Sequence, residues 1–182
     1  FVDYIAEHLT PSGRAGIIVP EGIIFQSQTA YKSLRKLLVE QYLVAVISLP
    51  AGIFNPYAGV KTSILILDKS LAKQSNTIAF FKIENDGYAL GAQRREIQGE
   101  QLTAAAAELA EYLRRIRAGE SVRVEDFTPT LGLIVAKGKI AAKEDYNLGG
   151  ERYREVGAAK RSVQWVRLGD VCERVMDGTH FS

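Results

Sequence analysis

Short, uninterrupted apolar runs recur along the chain and predict buried β-strands. Runs of this kind, rich in β-branched residues, are typical of strands that are covered on both faces of a parallel sheet. Four such runs are AGIIVP (15–20), LVAVISLP (43–50), KTSILILDK (61–69) and TIAFFKI (77–83). We therefore expect four buried strands.

Apolar residues at helical spacing predict a helix on either side of the first strand. Residues 1–9 carry one such stripe, and the helix is expected to end at Pro11-Ser12-Gly13. Residues 29–42 carry another stripe on one face. The opposite face of this second helix is expected to be solvated and carries three basic residues, Lys32, Arg35 and Lys36.

The order of these elements predicts an α/β fold. Strand, helix and strand, followed by two closely spaced strands, is typical of the later half of a doubly wound sheet whose last strands are antiparallel. The segment SLAKQSN (70–76) is too short for a crossover helix with its loops. The third and fourth strands are therefore expected to form an antiparallel pair.

The pattern of apolar and polar residues changes after residue 99. Residues 101–119 predict a helix that stops at Gly119, and Glu111 and Arg115 are expected to form an ion pair on it. Its apolar stripe consists of Leu102, Leu109, Leu113 and Ile116. Residues 131–153 mix a short strand with a short helix, and the residues after them resemble a linker.

Composition excludes few functions. The chain has 182 residues, 47% of them hydrophobic, and its net charge of +2 neither indicates nor excludes nucleic-acid binding. The single cysteine, Cys172, permits no internal disulfide and favours a reducing, cytoplasmic compartment. His8, Cys172 and His180 do not have the ligand spacing of a zinc site, so no metal site is expected. The apolar runs are too short to span a membrane.

The motifs of several common enzyme classes do not occur in these 182 residues. They lack a Gly-x-Gly-x-x-Gly turn after a strand, a phosphate-binding P-loop, His-Glu-x-x-His and Gly-x-Ser-x-Gly. The chain starts at Phe1 within a helical pattern, and both ends look cut, so we expect a fragment of a longer protein. A loop that holds a nucleotide-like cofactor is expected outside this chain.

Four stretches resemble a known family. GRAGIIVPEGIIF (13–25) and the whole segment 43–69 resemble later catalytic-domain segments of type I restriction-modification methylation subunits, which are S-adenosylmethionine-dependent DNA adenine methyltransferases. NDGYAL (85–90) and DYNLGGERY (145–153) are similar to the same family. The resemblance implies the C-terminal half of a Rossmann-like methyltransferase sheet, with S-adenosylmethionine bound mainly by a preceding part.

WVRLGDVCERVMDGTH (165–180) resembles the opening of a target recognition domain in type I specificity subunits. The two resemblances together imply four parts of the chain. These are the C-terminal part of a catalytic domain (1–98), a helical extension (99–156), a linker (157–163) and a truncated recognition domain (164–182). They leave open whether the specificity unit is fused or separate.

Asn55-Pro56-Tyr57 is not the catalytic motif of the family. That motif has the form Asp/Asn-Pro-Pro-Tyr/Phe and lies about two strands earlier, so the resemblance implies no catalytic residue in this fragment. It implies instead that the loop before the third strand supplies an aromatic ring to a flipped-out adenine. Phe54 is the first candidate and Tyr57 the second, and Lys61 and Thr62 are candidates for a DNA contact.

Two further groups are candidates. Pro20, Glu21 and Gly22 follow the first strand and are expected to line a cleft, because ligands bind at the carboxyl ends of such strands. His180 is a candidate DNA contact within the expected recognition domain. Two of the candidates have a simpler alternative. Phe54 could be a loop anchor in the core, and Pro20-Glu21-Gly22 could be a structural turn.

The resemblance thus implies part of a site-specific DNA N6-adenine methyltransferase, expected to be inactive alone. Its implied partners are double-stranded DNA with a flipped adenine and a specificity unit, and a restriction subunit is left open. A non-catalytic docking or DNA-clamping module, acting through helix 101–118, remains an alternative. An unrelated α/β enzyme is a third.

Overall fold

A computed structural model describes residues 1–91, 93–120, 122–123 and 127–154. The helices in this part are α1 (Val2–Glu7), α2 (Glu21–Phe25), α3 (Thr29–Gln41), α4 (Lys69–Gln74), α5 (Leu102–Arg117) and α6 (Lys137–Ala141), with a 3₁₀-helix at Gly150–Tyr153. The strands are β1 (Arg14–Pro20), β2 (Leu43–Ser48), β3 (Thr62–Asp68), β4 (Thr77–Lys82) and β5 (Gly132–Ala136).

The strands form one mixed sheet in the order β1-β3-β2-β4-β5. β2 and β4 are parallel, whereas β3 is antiparallel to both β1 and β2, and β5 is antiparallel to β4. Consequently β1, β2 and β4 run in one direction, and β3 and β5 run in the other. The predicted α/β fold with parallel and antiparallel strands is confirmed.

The expected pairing of the third and fourth strands is wrong. β3 and β4 do run in opposite directions, but β2 lies between them and pairs with both. The connection is short because both of its ends lie at the same edge of the sheet, so it passes only one strand, a distance of roughly 10 Å. Helix α4 makes this step, and the Asp68 carboxylate caps it by accepting hydrogen bonds from the backbone N–H groups of Ser70 and Leu71.

The strands differ in how deeply they are buried. β2 and β4 are buried along almost their whole length. β1 lies at an edge of the sheet, and Ile18 near its end is 55% exposed. The expectation that the first apolar run is covered on both faces is therefore wrong for the described residues.

Two apolar clusters cover the two faces of the sheet. In β4, Ile78 and Phe80 belong to the first cluster, and Ala79 and Phe81 belong to the second, as the alternation of side chains in a strand requires. Helices α1, α2, α3 and α6 add side chains to the first cluster, and α4 and α5 add side chains to the second. This arrangement of helices on both faces is the layering expected of a doubly wound fold.

The predicted apolar stripe of α5 is confirmed in part, because Ile116 is buried and Leu109 and Leu113 pack against the second cluster. Ala105, Tyr112 and Ile116 are its buried residues, while Leu102 is exposed at the start of the helix. The Tyr112 hydroxyl donates a hydrogen bond of 2.9 Å to the carbonyl oxygen of Thr77 in β4. Burial of this phenol raises its pKa. The expected ion pair between Glu111 and Arg115 is confirmed at 2.7 Å.

Residues after position 98 contribute to the same sheet as those before it, because β5 pairs with β4. The proposed boundary at 98/99 remains a prediction. The expected linker 157–163 and recognition segment 164–182, including His180 and Cys172, lie outside the described residues. Within the described part, no helix is long and apolar enough to cross a membrane, and no cluster of potential ligands for a metal ion occurs.

Candidate functional site

The carboxyl ends of β1, β2 and β4, the three strands that run in the same direction, lie on the same side of the sheet. This side of the sheet, where strands end, is called here the carboxyl-end edge and differs from the edge strands β1 and β5. The register places Pro20 of β1 opposite Thr62, and Ser48 of β2 opposite both Ser63 and Lys82. The antiparallel strands β3 and β5 therefore begin at the edge where β1, β2 and β4 end. Ligands of open α/β sheets bind at this edge.

A cavity of about 290 Å³ opens at this edge. Its apolar wall consists of Ile24, Phe25, Val46, Phe80, Phe81, Leu133 and Leu148. Its polar lining includes Ser48 and Ser63 from the strand ends, and residues 149–152 border it from the later part of the chain. Stretches 13–25, 43–69 and 145–153, far apart in sequence, thus meet around one cavity.

Glu21 and Lys61 join the first and second of these stretches. The Lys61 ammonium lies 3.2 Å from Oε1 of Glu21, and the Glu21 backbone N–H donates to the Lys61 carbonyl oxygen at 3.0 Å. Both residues line the cavity. Among the described residues, Oε2 of Glu21 and Oγ1 of Thr62 are buried without a hydrogen-bond partner. Pro20, Gly22 and Thr62 do not line the cavity.

The loop 49–61 connects β2 to β3 at the same edge and carries both aromatic candidates. Phe54 is 37% exposed and Tyr57 is 94% exposed, and neither lines the cavity. The carbonyl oxygen of Phe54 accepts hydrogen bonds from the backbone N–H groups of Tyr57 and Ala58. The Phe54 ring is therefore carried by a tight turn and is partly accessible to solvent.

A second loop, residues 85–91 and 93–98, packs against loop 49–61. The side-chain amide of Asn55 donates a hydrogen bond of 2.7 Å to the Leu90 carbonyl oxygen. Asn55 therefore connects the two loops. Arg94 donates to the carbonyl oxygens of Gly52 and Ile53 and forms an ion pair with Asp86. No sequence pattern distinguishes Arg94 from the other basic residues, although the NDGYAL stretch holds its partner Asp86.

Arg35, which was expected on a solvated helix face, is fully buried. Its guanidinium donates hydrogen bonds to the carbonyl oxygens of Ile23, Gln26 and Asp145. Burial lowers the pKa of this guanidinium. The interpretation of Arg35 as a surface residue is therefore wrong, because backbone carbonyls from two other segments satisfy its donors.

The segment 145–153 is held by further polar contacts. The Tyr153 hydroxyl donates a hydrogen bond of 2.6 Å to the Asn147 carbonyl oxygen, and Arg152 forms an ion pair with Asp145 at 2.7 Å. Burial, with the Asp145 carboxylate as the second cause, raises the pKa of Tyr153 to about 12. These contacts fix the part of the segment that borders the cavity.

The cavity does not provide a complete site for a charged nucleoside cofactor. Four basic groups at the rim are each already paired with an acidic side chain. These pairs are Lys61–Glu21, Lys82–Glu84, Arg152–Asp145 and Arg154–Glu151. The 182 residues also contain no Gly-x-Gly-x-x-Gly turn after a strand, the element that would hold a nucleotide-like cofactor. The described residues therefore do not form a complete site for S-adenosylmethionine.

The mixed sheet, with helices on both faces and family-like stretches gathered at its carboxyl-end edge, defines a methyltransferase-type α/β fold. Residues 1–161 match the model of the family described as N-6 DNA methylase. This match spans most of the chain, and the chain belongs to that family.

Curated relatives point to one branch of this family. The chain is 41% identical over 70 residues to the type I restriction enzyme EcoEI methylase subunit of Escherichia coli, an alignment that covers 38% of this chain and 14% of the relative. It is 36% identical over 77 residues to the EcoKI methylase subunit of Escherichia coli strain K12, covering 42% of this chain and 14% of the relative. The matched region is thus a small part of these relatives.

Solved structures agree on the fold. A chain from a structure of the type I R-M system has a TM-score of 0.65 and 25% identity, covering 88% of this chain and 32% of that chain. The EcoKI M protein has a TM-score of 0.52 and 19% identity, covering 80% of this chain and 35% of its own. The resemblance to type I methylation subunits is confirmed in sequence and in fold.

Proposed function

We propose that this chain is the target-base part of a site-specific DNA N6-adenine methyltransferase from a type I-like restriction-modification system. One observation carries the proposal: the loop with Phe54 and Tyr57 starts and ends beside the cavity at the carboxyl-end edge. Phe54 is partly exposed in this loop and Tyr57 is almost fully exposed. Membership of the N-6 DNA methylase family supports the type of reaction.

An aromatic ring at this position could stabilise an adenine that has left the DNA duplex. The amino group of adenine cannot be reached inside the duplex, so the base leaves the stack at a cost of a few kcal/mol. Stacking on an aromatic side chain returns roughly 1–3 kcal/mol per base. Phe54 would supply this platform, with Tyr57 as the second candidate. Lys61 and Thr62, where loop 49–61 joins β3, would orient the loop or meet a flanking phosphate.

S-adenosylmethionine, on which the family depends, would supply the methyl group. Residues outside the 182 would hold most of it and would contribute the Asp/Asn-Pro-Pro-Tyr/Phe motif, since neither that motif nor a glycine-rich donor loop is present here. This chain would contribute the target-base side, and Glu21 would help to shape the cleft from the end of β1. Pro20 and Gly22 would fix the turn that carries Glu21.

The partners follow from the same proposal. They would be double-stranded DNA with one adenine flipped out, a specificity unit that is fused or separate, and a restriction subunit. Residues 164–182, including His180, would begin the recognition domain. The alignments span 14% of each of the two curated relatives.

A docking or clamping module has less support. That alternative relied on the apolar stripe of the helix over residues 101–118. The buried residues of α5, Tyr112 and Ile116 among them, already pack in the second cluster of this chain. Much of the remaining face is charged and carries ion pairs of Arg114 with Glu111 and Glu120.

Transfer of a labelled methyl group tests the proposal. The 182-residue chain, incubated with labelled S-adenosylmethionine and adenine-containing DNA, is expected to transfer no label. The full reading frame, produced with its specificity unit, is expected to label adenine N6. Its upstream part should encode a glycine-rich loop and Asp/Asn-Pro-Pro-Tyr/Phe. Label transferred by the 182-residue chain alone, or none by the complete protein, would contradict the proposal.

A further inference from the structure

Residues 85–91 and 93–98, called here the anchoring loop, form a hairpin-like structure next to loop 49–61. Tyr88 and Glu96 form an isolated antiparallel bridge. The backbone N–H of Ala89 donates to the Arg95 carbonyl oxygen, and that of Ile97 donates to the Gly87 carbonyl oxygen, both at 2.8 Å. The loop therefore has an internal backbone framework and can hold side chains in fixed positions.

Arg94 connects the anchoring loop to the loop that carries Phe54. Its Nη1 donates to the Ile53 carbonyl oxygen at 2.7 Å and to that of Gly52 at 3.3 Å. Its Nη2 pairs with the Asp86 carboxylate, which is almost completely buried. The guanidinium also lies over the ring of Tyr88, 5.5 Å from its centroid. One planar, five-donor group thus joins two loops, a task for which a lysine has no equivalent geometry.

The contacts of Arg94 lie on one side of Phe54, and a second contact lies on the other side. Arg94 holds the carbonyl groups of Gly52 and Ile53, and Asn55 donates from its amide to the Leu90 carbonyl oxygen. The backbone of Phe54 is therefore fixed to the anchoring loop both before and after it. Its side chain nevertheless stays partly exposed.

We propose that Arg94, paired with Asp86, is a positioning residue that holds the Phe54 loop ready for an extrahelical DNA base. This inference rests on the proposed function and deepens it. A platform that is ordered before the base arrives does not lose conformational entropy on binding, so it binds the flipped base more tightly than a mobile one. Arg94 acts through the backbone of the loop and need not touch DNA.

Hydrogen exchange on the 182-residue chain tests the anchoring itself. The backbone N–H groups of Asn55, Tyr57 and Ala58 are hydrogen-bonded within loop 49–61 and report on its order. In Arg94→Ala their exchange is expected to be roughly tenfold faster, while amides of β3 stay unchanged, because only the local opening is affected. Arg94→Lys should be intermediate.

Arg95→Ala is the matched control. Arg95 is the next residue in the same loop, is exposed, and its side chain bonds only to Gln93 among the contacts described. This variant is expected to leave exchange in loop 49–61 unchanged. Equal exchange in Arg94→Ala and the parent chain, or equal acceleration in Arg95→Ala, would overturn the anchoring. If Arg94→Ala does not fold, Arg94→Lys against Arg95→Lys gives the same comparison.

Kinetics of the complete methyltransferase test the link to the base. Arg94→Lys is expected to raise KM for DNA about five- to tenfold, with KM for S-adenosylmethionine unchanged, and to reduce the fluorescence gain of 2-aminopurine placed at the target position. A purely structural role would lower thermal stability without this selective change, and that result would overturn the proposal. If the complete protein transfers no methyl group at all, the proposed function fails, whereas hydrogen exchange still decides the anchoring.

Discussion

Arg35 donates two hydrogen bonds to the carbonyl oxygen of Asp145, at 3.1 and 2.7 Å, although 110 residues separate the two in the chain. The same guanidinium bonds to the carbonyl oxygens of Ile23 and Gln26, at the end of α2. Helix α3 thereby fixes both the segment after β1 and the segment 145–153. These are two of the segments that border the cavity, so Arg35 supports the site without lining it.

Replacing Arg35 with Met is expected to destabilise the fold strongly. Met fills much of the space but removes every donor, which leaves buried carbonyl groups without partners at about 1–3 kcal/mol each. We expect a total loss of about 3–5 kcal/mol in the free energy of unfolding, measured by urea denaturation. Lys36→Met, at an exposed position of the same helix, should change it by less than about 0.5 kcal/mol. Similar losses in both variants would show that the buried hydrogen bonds of Arg35 contribute little.

Ionisation of the Tyr153 phenol is expected to destabilise the fold at alkaline pH. Its pKa rises from an ordinary 10.0 to about 12, because burial and the nearby Asp145 carboxylate favour the neutral phenol. A raised pKa of this kind contributes stability that is fully present below pH 10 and is lost as the pH rises from 10 towards 12. The stability advantage of the wild type over Tyr153→Phe should therefore shrink across this interval.

At pH 7 the Tyr153→Phe variant is expected to lose about 0.5–1.5 kcal/mol, because the hydrogen bond to the Asn147 carbonyl oxygen is absent. Urea denaturation of both proteins at pH 8, 10 and 11 measures the difference. Tyr57→Phe, at an exposed side chain, is the control. A difference between wild type and Tyr153→Phe that stays constant from pH 8 to 11 would contradict the prediction.

Local structure was predictable from the sequence because it depends on local patterns. The four apolar runs became strands whose bounds differ from the predicted ones by at most two residues. The ion pair Glu111–Arg115 depends only on helical spacing and was also predicted correctly. Strand order depends on contacts between distant segments, so the insertion of β2 between β3 and β4 was missed.

The site was predictable to a similar degree. Glu21 and Lys61 were candidates because they flank strand ends, and both line the cavity. Arg35 and Arg94 were missed because their partners are mainly backbone carbonyl groups of other segments. A carbonyl group is present at every residue, so the sequence carries no sign of which one a buried guanidinium will meet.

Substitution of Ile18 tests the finding that β1 is not covered on both faces. Because Ile18 is 55% exposed at the sheet edge, Ile18→Thr is expected to change the free energy of unfolding by less than about 0.5 kcal/mol. Leu65→Ala, at a fully buried position of the neighbouring strand β3, should cost about 2–5 kcal/mol. Thermal or urea denaturation distinguishes the two. A cost for Ile18→Thr close to that of Leu65→Ala would mean that another part of the protein covers this edge.

The aromatic platform makes the sharpest functional prediction. In the complete methyltransferase, Phe54→Ala is expected to lower kcat/KM for DNA by about 10- to 100-fold, the kinetic equivalent of roughly 1–3 kcal/mol of lost stacking. Tyr57→Ala should lower it less, because the Tyr57 side chain is almost fully exposed while Phe54 is held between two anchored neighbours. Phe54→Tyr retains the ring and should restore most of the activity.

Val60→Ala is the control for this comparison, since Val60 is an exposed apolar residue of the same loop without an aromatic ring. It should leave kcat/KM close to that of the wild type. The assay is methylation of a DNA duplex that carries the recognised site, with DNA concentration varied at saturating donor. Equal losses in Phe54→Ala and Tyr57→Ala, or a larger loss in Tyr57→Ala, would assign the stacking role to Tyr57, because only the ring that contacts the flipped base contributes its stacking free energy to the transition state.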